Sequence, residues 1–284
     1  MGYLLLSVLF SACLFVLFKY FDRKGIPLLA SIVGNYIACI VVGSLSTPKS
    51  SFMQYNFQSF SYHFILGFLF FAIFYLMGKS SSKNGVGITG MAGKMSLLLT
   101  VILLSIYTKT SITWVEILSL AIGLLALLIM GIEDKGKIEI RQLKLPILIL
   151  LGSGIIDACL AILKERQLNL NLDQSPGIIY TFSGALCLAI LANYKSIKSQ
   201  ILHPTGLLYG GILGLINYYS VHFLLLGIEH KGNMSLNQFY LANNIGVVVL
   251  TFMLGIVLFK ESTNWKKFIG LVLALISIFF ALKL

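Results

Sequence analysis

NGVGITGMAGKMSLLLTVILLSIY, residues Asn84–Tyr107, is apolar and long enough to cross a bilayer, yet it holds Lys94 almost at its middle. A lysine at that depth costs about 2.5–3.5 kcal/mol on insertion scales, so it belongs in a bundle interior or a water-filled cavity. The first half of the stretch also carries Gly85, Gly87, Gly90 and Gly93. Gly85 to Gly90 satisfies G-x-G-x-x-G. A dinucleotide site, however, needs a preceding strand and an acidic residue about twenty positions on, and the sequence supplies neither. The glycines are read as a smooth helix face that lets a neighbour approach closely.

The rest of the chain is of the same kind. It has 284 residues, 58% hydrophobic and 11% charged, where a soluble domain is about a quarter charged. This predicts an all-α integral membrane protein. Ten apolar stretches predict spans at 2–21, 27–45, 62–79, 84–107, 113–131, 146–165, 176–194, 204–227, 235–259 and 264–283. Pro27, Pro146, Pro176 and Pro204 each open a span, where a proline loses no intrahelical hydrogen bond. The apolar run from Gly2 has no basic start and is read as a first span rather than a signal peptide. Cys13, Cys39, Cys159 and Cys187 lie within apolar stretches, away from zinc-ligand spacing, and are read as packing residues.

The net charge of +11 does not mark a nucleic-acid binder, because the basic residues sit in short connectors. Fourteen fall on one side: Lys19, Arg23, Lys24, Lys79, Lys83, Lys135, Lys137, Arg141, Lys144, Lys195, Lys198, Lys260, Lys266 and Lys267. Six fall on the other: Lys49, Lys109, Lys164, Arg166, Lys231 and Lys283. The richer side is expected to be cytoplasmic, with both termini outside.

An internal repeat organises the spans. KTSITWVEILSLAIGLL (109–125) and KESTNWKKFIGLVLALI (260–276) align Lys, Ser and Trp at a spacing of 151. Ala12-Cys13-Leu14 matches Ala158-Cys159-Leu160 at 146, and Cys39 matches Cys187 at 148. The expectation is two five-helix halves, 1–133 and 145–284, joined by the charged linker Ile132–Leu145. Five helices per half invert the second relative to the first, the arrangement of secondary transporters with a midplane site.

Polar residues concentrate at that depth. Asn35, Lys94, Asp157, Asn217 and the pair Asn243-Asn244 each lie within roughly 6 Å of the middle of their span, at about 1.5 Å per residue. Tyr36, Tyr180, Tyr218, Tyr219 and Tyr240 run through the same levels, and His222 follows Tyr218 by four residues on one helix face. Together they imply a polar, wet cavity. The candidate substrate-binding residues are Lys94, Asn35, Asp157, Tyr180, Asn217, Tyr218, His222, Asn243 and Asn244, with Asp157 also the candidate for a coupling proton. Other readings stand beside these: helix-to-helix hydrogen bonds for any one Asn or Tyr, a core histidine for His222, a salt bridge to Asp157 for Lys94. No hydrolase elbow, HExxH or metal-ligand cluster is present, so neither enzyme nor cofactor is expected.

Ten spans in two inverted fives, with Leu258-Phe259-Lys260-Glu261-Ser262 closing one helix and Trp265 to Ala274 opening the next, resemble the EamA-like branch of the drug/metabolite transporter superfamily. The turn Lys94-Met95-Ser96 resembles that of members with a lysine in helix four. The resemblance covers essentially the whole chain. It implies alternating-access transport, with Lys94, Tyr218 or Tyr219, and Asn243 or Asn244 at the site. The chain departs from the family in lacking the proline of helices four and nine and the basic residue of helix nine. Thr110 also stands where the first half would carry a glutamate. These departures disfavour a doubly anionic phosphate substrate.

The expected function is secondary transport of a small polar metabolite, amino acid- or amine-like, with protons as the candidate coupling ion. Efflux is favoured by family analogy. The expected setting is the inner (plasma) membrane, as a multi-pass monomer with a dimer as the alternative. A multidrug exporter is the second reading and an intramembrane lipid-handling enzyme the third.

Overall fold

Backbone N–H and C=O groups have no water partners in a bilayer, so apolar stretches of this length satisfy them internally as helices. The computed structural model describes residues 2–47, 57–109, 111, 114–130, 140–166, 176–194, 203–233 and 236–282. Among these, ten helices occur, one over each apolar stretch: α1 (Gly2–Arg23), α2 (Leu28–Ser46), α3 (Phe57–Lys83), α4 (Val86–Thr108), α5 (Trp114–Met130), α6 (Ile140–Arg166), α7 (Pro176–Tyr194), α8 (Pro204–Glu229), α9 (Leu236–Phe259) and α10 (Trp265–Leu282). Seven of them, α1 to α4, α6, α8 and α9, are long and apolar enough to cross a membrane. The chain is an all-helical, multi-pass membrane protein.

Three of the four prolines stand at helix starts: Pro27 caps α2, while Pro176 and Pro204 are the first residues of α7 and α8. Pro146 does not. It lies inside α6, which begins at Ile140. The apolar stretch marks where lipid begins, whereas the helix continues beyond it into the polar linker; the missing N–H at Pro146 costs one bond of the first turns.

The helices pair widely across the sequence. α2 packs on α8 and α3 on α7; α4 packs on α6 and α1 on α9; α1 also meets α8, and α3 meets α6. Three further pairs are α5 with α10, α4 with α9, and α2 with α7. The α5–α10 pair thus flanks one side and the α2–α7 pair the other, with α1, α3, α4, α6, α8 and α9 between them.

Lipid is as apolar as leucine, so packing rather than water exclusion holds such helices together, and small residues let backbones touch. At the α2–α8 crossing a Cβ on Gly210 would lie 2.9 Å from the Gly34 Cα; at the α3–α7 crossing one on Gly67 would lie 2.6 Å from the Ala185 nitrogen. The glycine face of α4 is of this kind. A Cβ on Gly87 would meet Phe252 of α9 at 3.0 Å, and one on Gly90 would meet Thr251 at 2.5–2.8 Å. Met91, Met95 and Leu98 then fill the space toward α5, α9 and α10 with Leu127, Val248 and Ile278.

Two helix ends share an unusual backbone. Lys109 follows α4 with φ 57° and Lys260 follows α9 with φ 52°, the only non-glycine residues of positive φ among the described residues. Trp114 and Trp265, which open α5 and α10, are 85% and 70% exposed.

Candidate functional site

Helix α4 passes through the middle of the bundle, in contact with α1, α3, α5, α6, α9 and α10. Lys94 on it is half-buried. Two residues further, the Ser96 hydroxyl lies 2.7 Å from the Gly93 carbonyl and 3.1 Å from Asp157 Oδ2 on α6. A hydroxyl has one proton to donate, so it serves one acceptor at a time. Four residues on, Thr100 repeats the pattern, 3.1 Å from the Ser96 carbonyl and 3.2 Å from that of Gly154. Gly154 allows this approach, since a Cβ there would stand 2.9 Å from the Ser96 carbonyl oxygen.

Asp157 lies within the apolar part of α6. Lys94 and Asp157 are close enough to interact electrostatically, but no ion pair within 4.0 Å joins them. The partner that holds the carboxylate is Ser96. Tyr240 of α9, half-buried, also lies within electrostatic reach of Asp157. Asn243 and Asn244 follow on the same helix, 2% and 7% exposed. The Asn243 side-chain oxygen accepts from the Ser7 hydroxyl of α1 at 3.0 Å.

Lys94, Ser96 and Asp157 thus lie together across the α4–α6 pair, with Tyr240 of α9 within electrostatic reach of Asp157, and form a polar centre. Two of these were candidates from the sequence. Ser96 and Tyr240 were not among the site residues, although one is two residues from Lys94 and the other three to four residues, about one helical turn, before Asn243-Asn244.

The other candidates lie elsewhere. Asn35 and Asn217 are bonded to each other, amide to carbonyl at 3.2 Å, within the α2–α8 crossing. Cys39 joins them there, donating to the Gly214 carbonyl at 3.3 Å. Tyr180 of α7 stands edge-on to Phe60 of α3, ring centroids 4.9 Å apart. Tyr218 and His222 stack along α8 at 6.2 Å, beside Tyr219, Phe223 and Phe10 of α1. Among the described residues no group of His, Cys, Asp and Glu side chains could hold a metal ion.

No family model matches the chain. An uncharacterized protein of Haemophilus influenzae is 24% identical over 288 residues, which cover 97% of this chain and 96% of that one. A protein of known crystal structure, 13% identical, superposes with a TM-score of 0.61 over 98% of this chain and 94% of its own. The chain thus shares its fold, along nearly its whole length, with a protein whose structure has been determined by experiment.

Proposed function

We propose that the protein is a secondary transporter of the drug/metabolite superfamily, EamA-like branch. It would move a small polar metabolite with an amino and a carboxyl group, or an amine, across the inner membrane by alternating access. The observation that carries the proposal is the Asp157 carboxylate in an apolar stretch of α6, bonded to Ser96 on α4 with no ion pair to Lys94 within 4.0 Å. An ionised group in a membrane interior is retained where it serves a pathway or substrate. A cation and an anion kept apart on facing helices suit a zwitterion, whose carboxylate would go to Lys94 and whose ammonium would go to Asp157 and the Tyr240 hydroxyl. Asp157 is also the residue to carry a coupling proton, with the Ser96 proton free to turn to Gly93 when the carboxyl is protonated.

Two inverted five-helix halves, 1–133 and 145–284, with all ten helices crossing the membrane, are part of the proposal. Exchanging each helix with the one five places on turns the α2–α8 pair into α3–α7, α4–α6 into α1–α9, and α1–α8 into α3–α6. It leaves α5–α10, α4–α9 and α2–α7 unchanged. The two left-handed lysines, Lys109 and Lys260, stand at the repeat spacing of 151. Both features support the repeat independently of the sequence matches.

Purified protein in liposomes tests the reading. A thermal-shift screen against amino acids and polyamines finds the ligand by the stabilisation that binding confers, and counterflow with that ligand then measures transport. Lys94→Met and Asp157→Asn are each expected to lower counterflow about a hundredfold at unchanged expression and elution profile. Near-wild-type counterflow in both would overturn the site. The aromatic group of Phe10, Tyr219, His222 and Phe223 favours a multidrug exporter as the second reading; resistance to aromatic cations in an overexpressing strain, unaffected by Lys94→Met, would select it.

A further inference from the structure

The ends of α1, α3 and α9 meet the start of α4 through charged side chains. The Arg23 guanidinium donates to the carbonyl of Phe259, the last residue of α9, and lies 4.8 Å from the centre of that ring. Lys19 Nζ donates to the Ser82 carbonyl in the last turn of α3 at 2.5 Å. Both contacts suit the partial negative charge at the carbonyl end of a helix. Each also draws in a further cation. The residue after Phe259 is Lys260 and the residue after Ser82 is Lys83, and both are exposed. Lys24, exposed as well, follows Arg23 directly.

The acidic residues at this end, Asp22 and Glu261, do not neutralise the group. The Glu261 carboxylate is taken up by the backbone of α4, where it accepts the Val86 N–H at 2.8 Å. Glycines enclose it there, since a Cβ on Gly85 or Gly255 would stand 2.6 or 2.5 Å from one of its oxygens. Among the described residues, no ion pair within 4.0 Å joins Lys19, Arg23, Lys24, Lys83 or Lys260 to an acidic side chain. Like charges held this close repel, and more strongly beside the low dielectric of lipid than in water. An anion from outside the chain relieves the repulsion.

The surroundings indicate which anion. α1, α3, α4 and α9 are each long and apolar enough to cross a membrane, so their common end lies at the level of the lipid head groups. Aromatic rings stand beside cations at this level. Lys24 lies over the Tyr20 ring at 6.0 Å and Lys79 over the Tyr75 ring at 4.5 Å. Trp265, which opens α10 six residues after α9 ends, is exposed. Rings set among basic side chains suit a molecule with a charged head and apolar tails, whereas a soluble anion would use the charge alone. At the opposite end, basic and acidic residues are mixed: Lys109, Lys164, Arg166 and Lys231 with Glu165 and Glu229.

We propose that the end of the bundle where α1 finishes binds the head group of an anionic phospholipid. Lys24, Lys83 and Lys260 donate to its phosphate oxygens, while Lys19 and Arg23, already bonded to helix carbonyls, add their charge. The bound phosphate joins the ends of α1, α3 and α9. The proposal needs neither a transported substrate nor a choice of membrane face.

Native mass spectrometry of the full chain tests this. The protein is purified in detergent and mixed with equal amounts of phosphatidylglycerol and phosphatidylcholine of the same acyl chains. Phosphatidylglycerol is expected to be retained at least about tenfold better, with a preference that falls as salt is raised during mixing. The double variant Lys83→Gln, Lys260→Gln is expected to weaken phosphatidylglycerol binding about twentyfold. The double variant Lys109→Gln, Lys231→Gln removes the same charge at the opposite end and is expected to leave binding unchanged. Inorganic phosphate in large excess is expected not to displace the lipid, which its acyl chains also hold. Equal retention of the two lipids by the unaltered chain overturns the proposal, and that comparison needs no variant to fold. Unchanged binding in Lys83→Gln, Lys260→Gln overturns it, as do equal losses in the two double variants, which would mean that only total charge matters. Displacement by inorganic phosphate would make this a site for a soluble anion and overturn the lipid assignment.

Discussion

Ser96 is the smallest part of the polar centre and the most easily tested. Among the described residues its hydroxyl is the hydrogen-bond partner of the Asp157 carboxylate, and a hydrogen bond to a charged group contributes about 1.5–3 kcal/mol. Ser96→Ala is therefore expected to reduce counterflow by about tenfold to a hundredfold by letting Asp157 turn toward Lys94. Ser96→Thr, which keeps the hydroxyl, is expected to retain most activity. Equal losses in the two variants would mean that Ser96 serves packing alone. The charged members of this centre were legible in the sequence, because Lys94 and Asp157 in apolar stretches need a reason to be there. Ser96 was not, because a serine in a membrane helix is most often bonded to its own backbone, as Ser31 and Ser183 are here.

For helices, depth could be read and direction could not. Asn35, Asn217 and Lys94 are all expected near the middle of their spans, yet the two asparagines bond each other across the α2–α8 crossing while Lys94 interacts with Asp157 of α6. Packed and lipid-facing surfaces of these helices are equally apolar, so no polar stripe marks the outside. This sets up a clear contrast. Asn35→Ala leaves the Asn217 amide short of a partner and is expected to lower stability by about 0.6–2 kcal/mol. That loss is read as a fall in the thermal unfolding midpoint in detergent, with the KM of transport unchanged. A changed KM at unchanged stability would return Asn35 to the substrate site. Gly90→Leu acts on another helix pair. Its side chain would meet Thr251 at under 3 Å, and the forced separation of α4 from α9 is expected to cost about 1–3 kcal/mol by the same measurement.

At the scale of the molecule, a helix occurs over each of the ten apolar stretches, and seven of these helices are long and apolar enough to cross a membrane. The exception is α6, which starts at Ile140 in the polar linker, before Pro146 and outside the reach of that rule. The proposed repeat is faint in the sequence, where it rests on a few side-chain matches, and draws its main support from the pairing of helices, since packing constrains backbone crossings more tightly than side-chain identity. If all ten helices cross, as proposed, both termini lie on one side, and the count of basic residues points to the outside. Short tags at residues 1 and 284 should therefore both be cleaved by protease added to intact spheroplasts; protection of both would reverse the orientation, and cleavage of one alone would mean an odd number of crossings. The two exposed tryptophans add a mechanical consequence. α4 begins beside the end of α9 and runs away from it, so α5 and α10 start at opposite ends of the bundle. Trp114 and Trp265 thus stand at opposite ends of the α5–α10 pair, and indole rings prefer to lodge in head-group layers. If the pair crosses the bilayer as proposed, they would pin it there like a strut. A strut of fixed length registers membrane thickness, and the turnover rate should pass through a maximum as the acyl chains of the host lipid are lengthened.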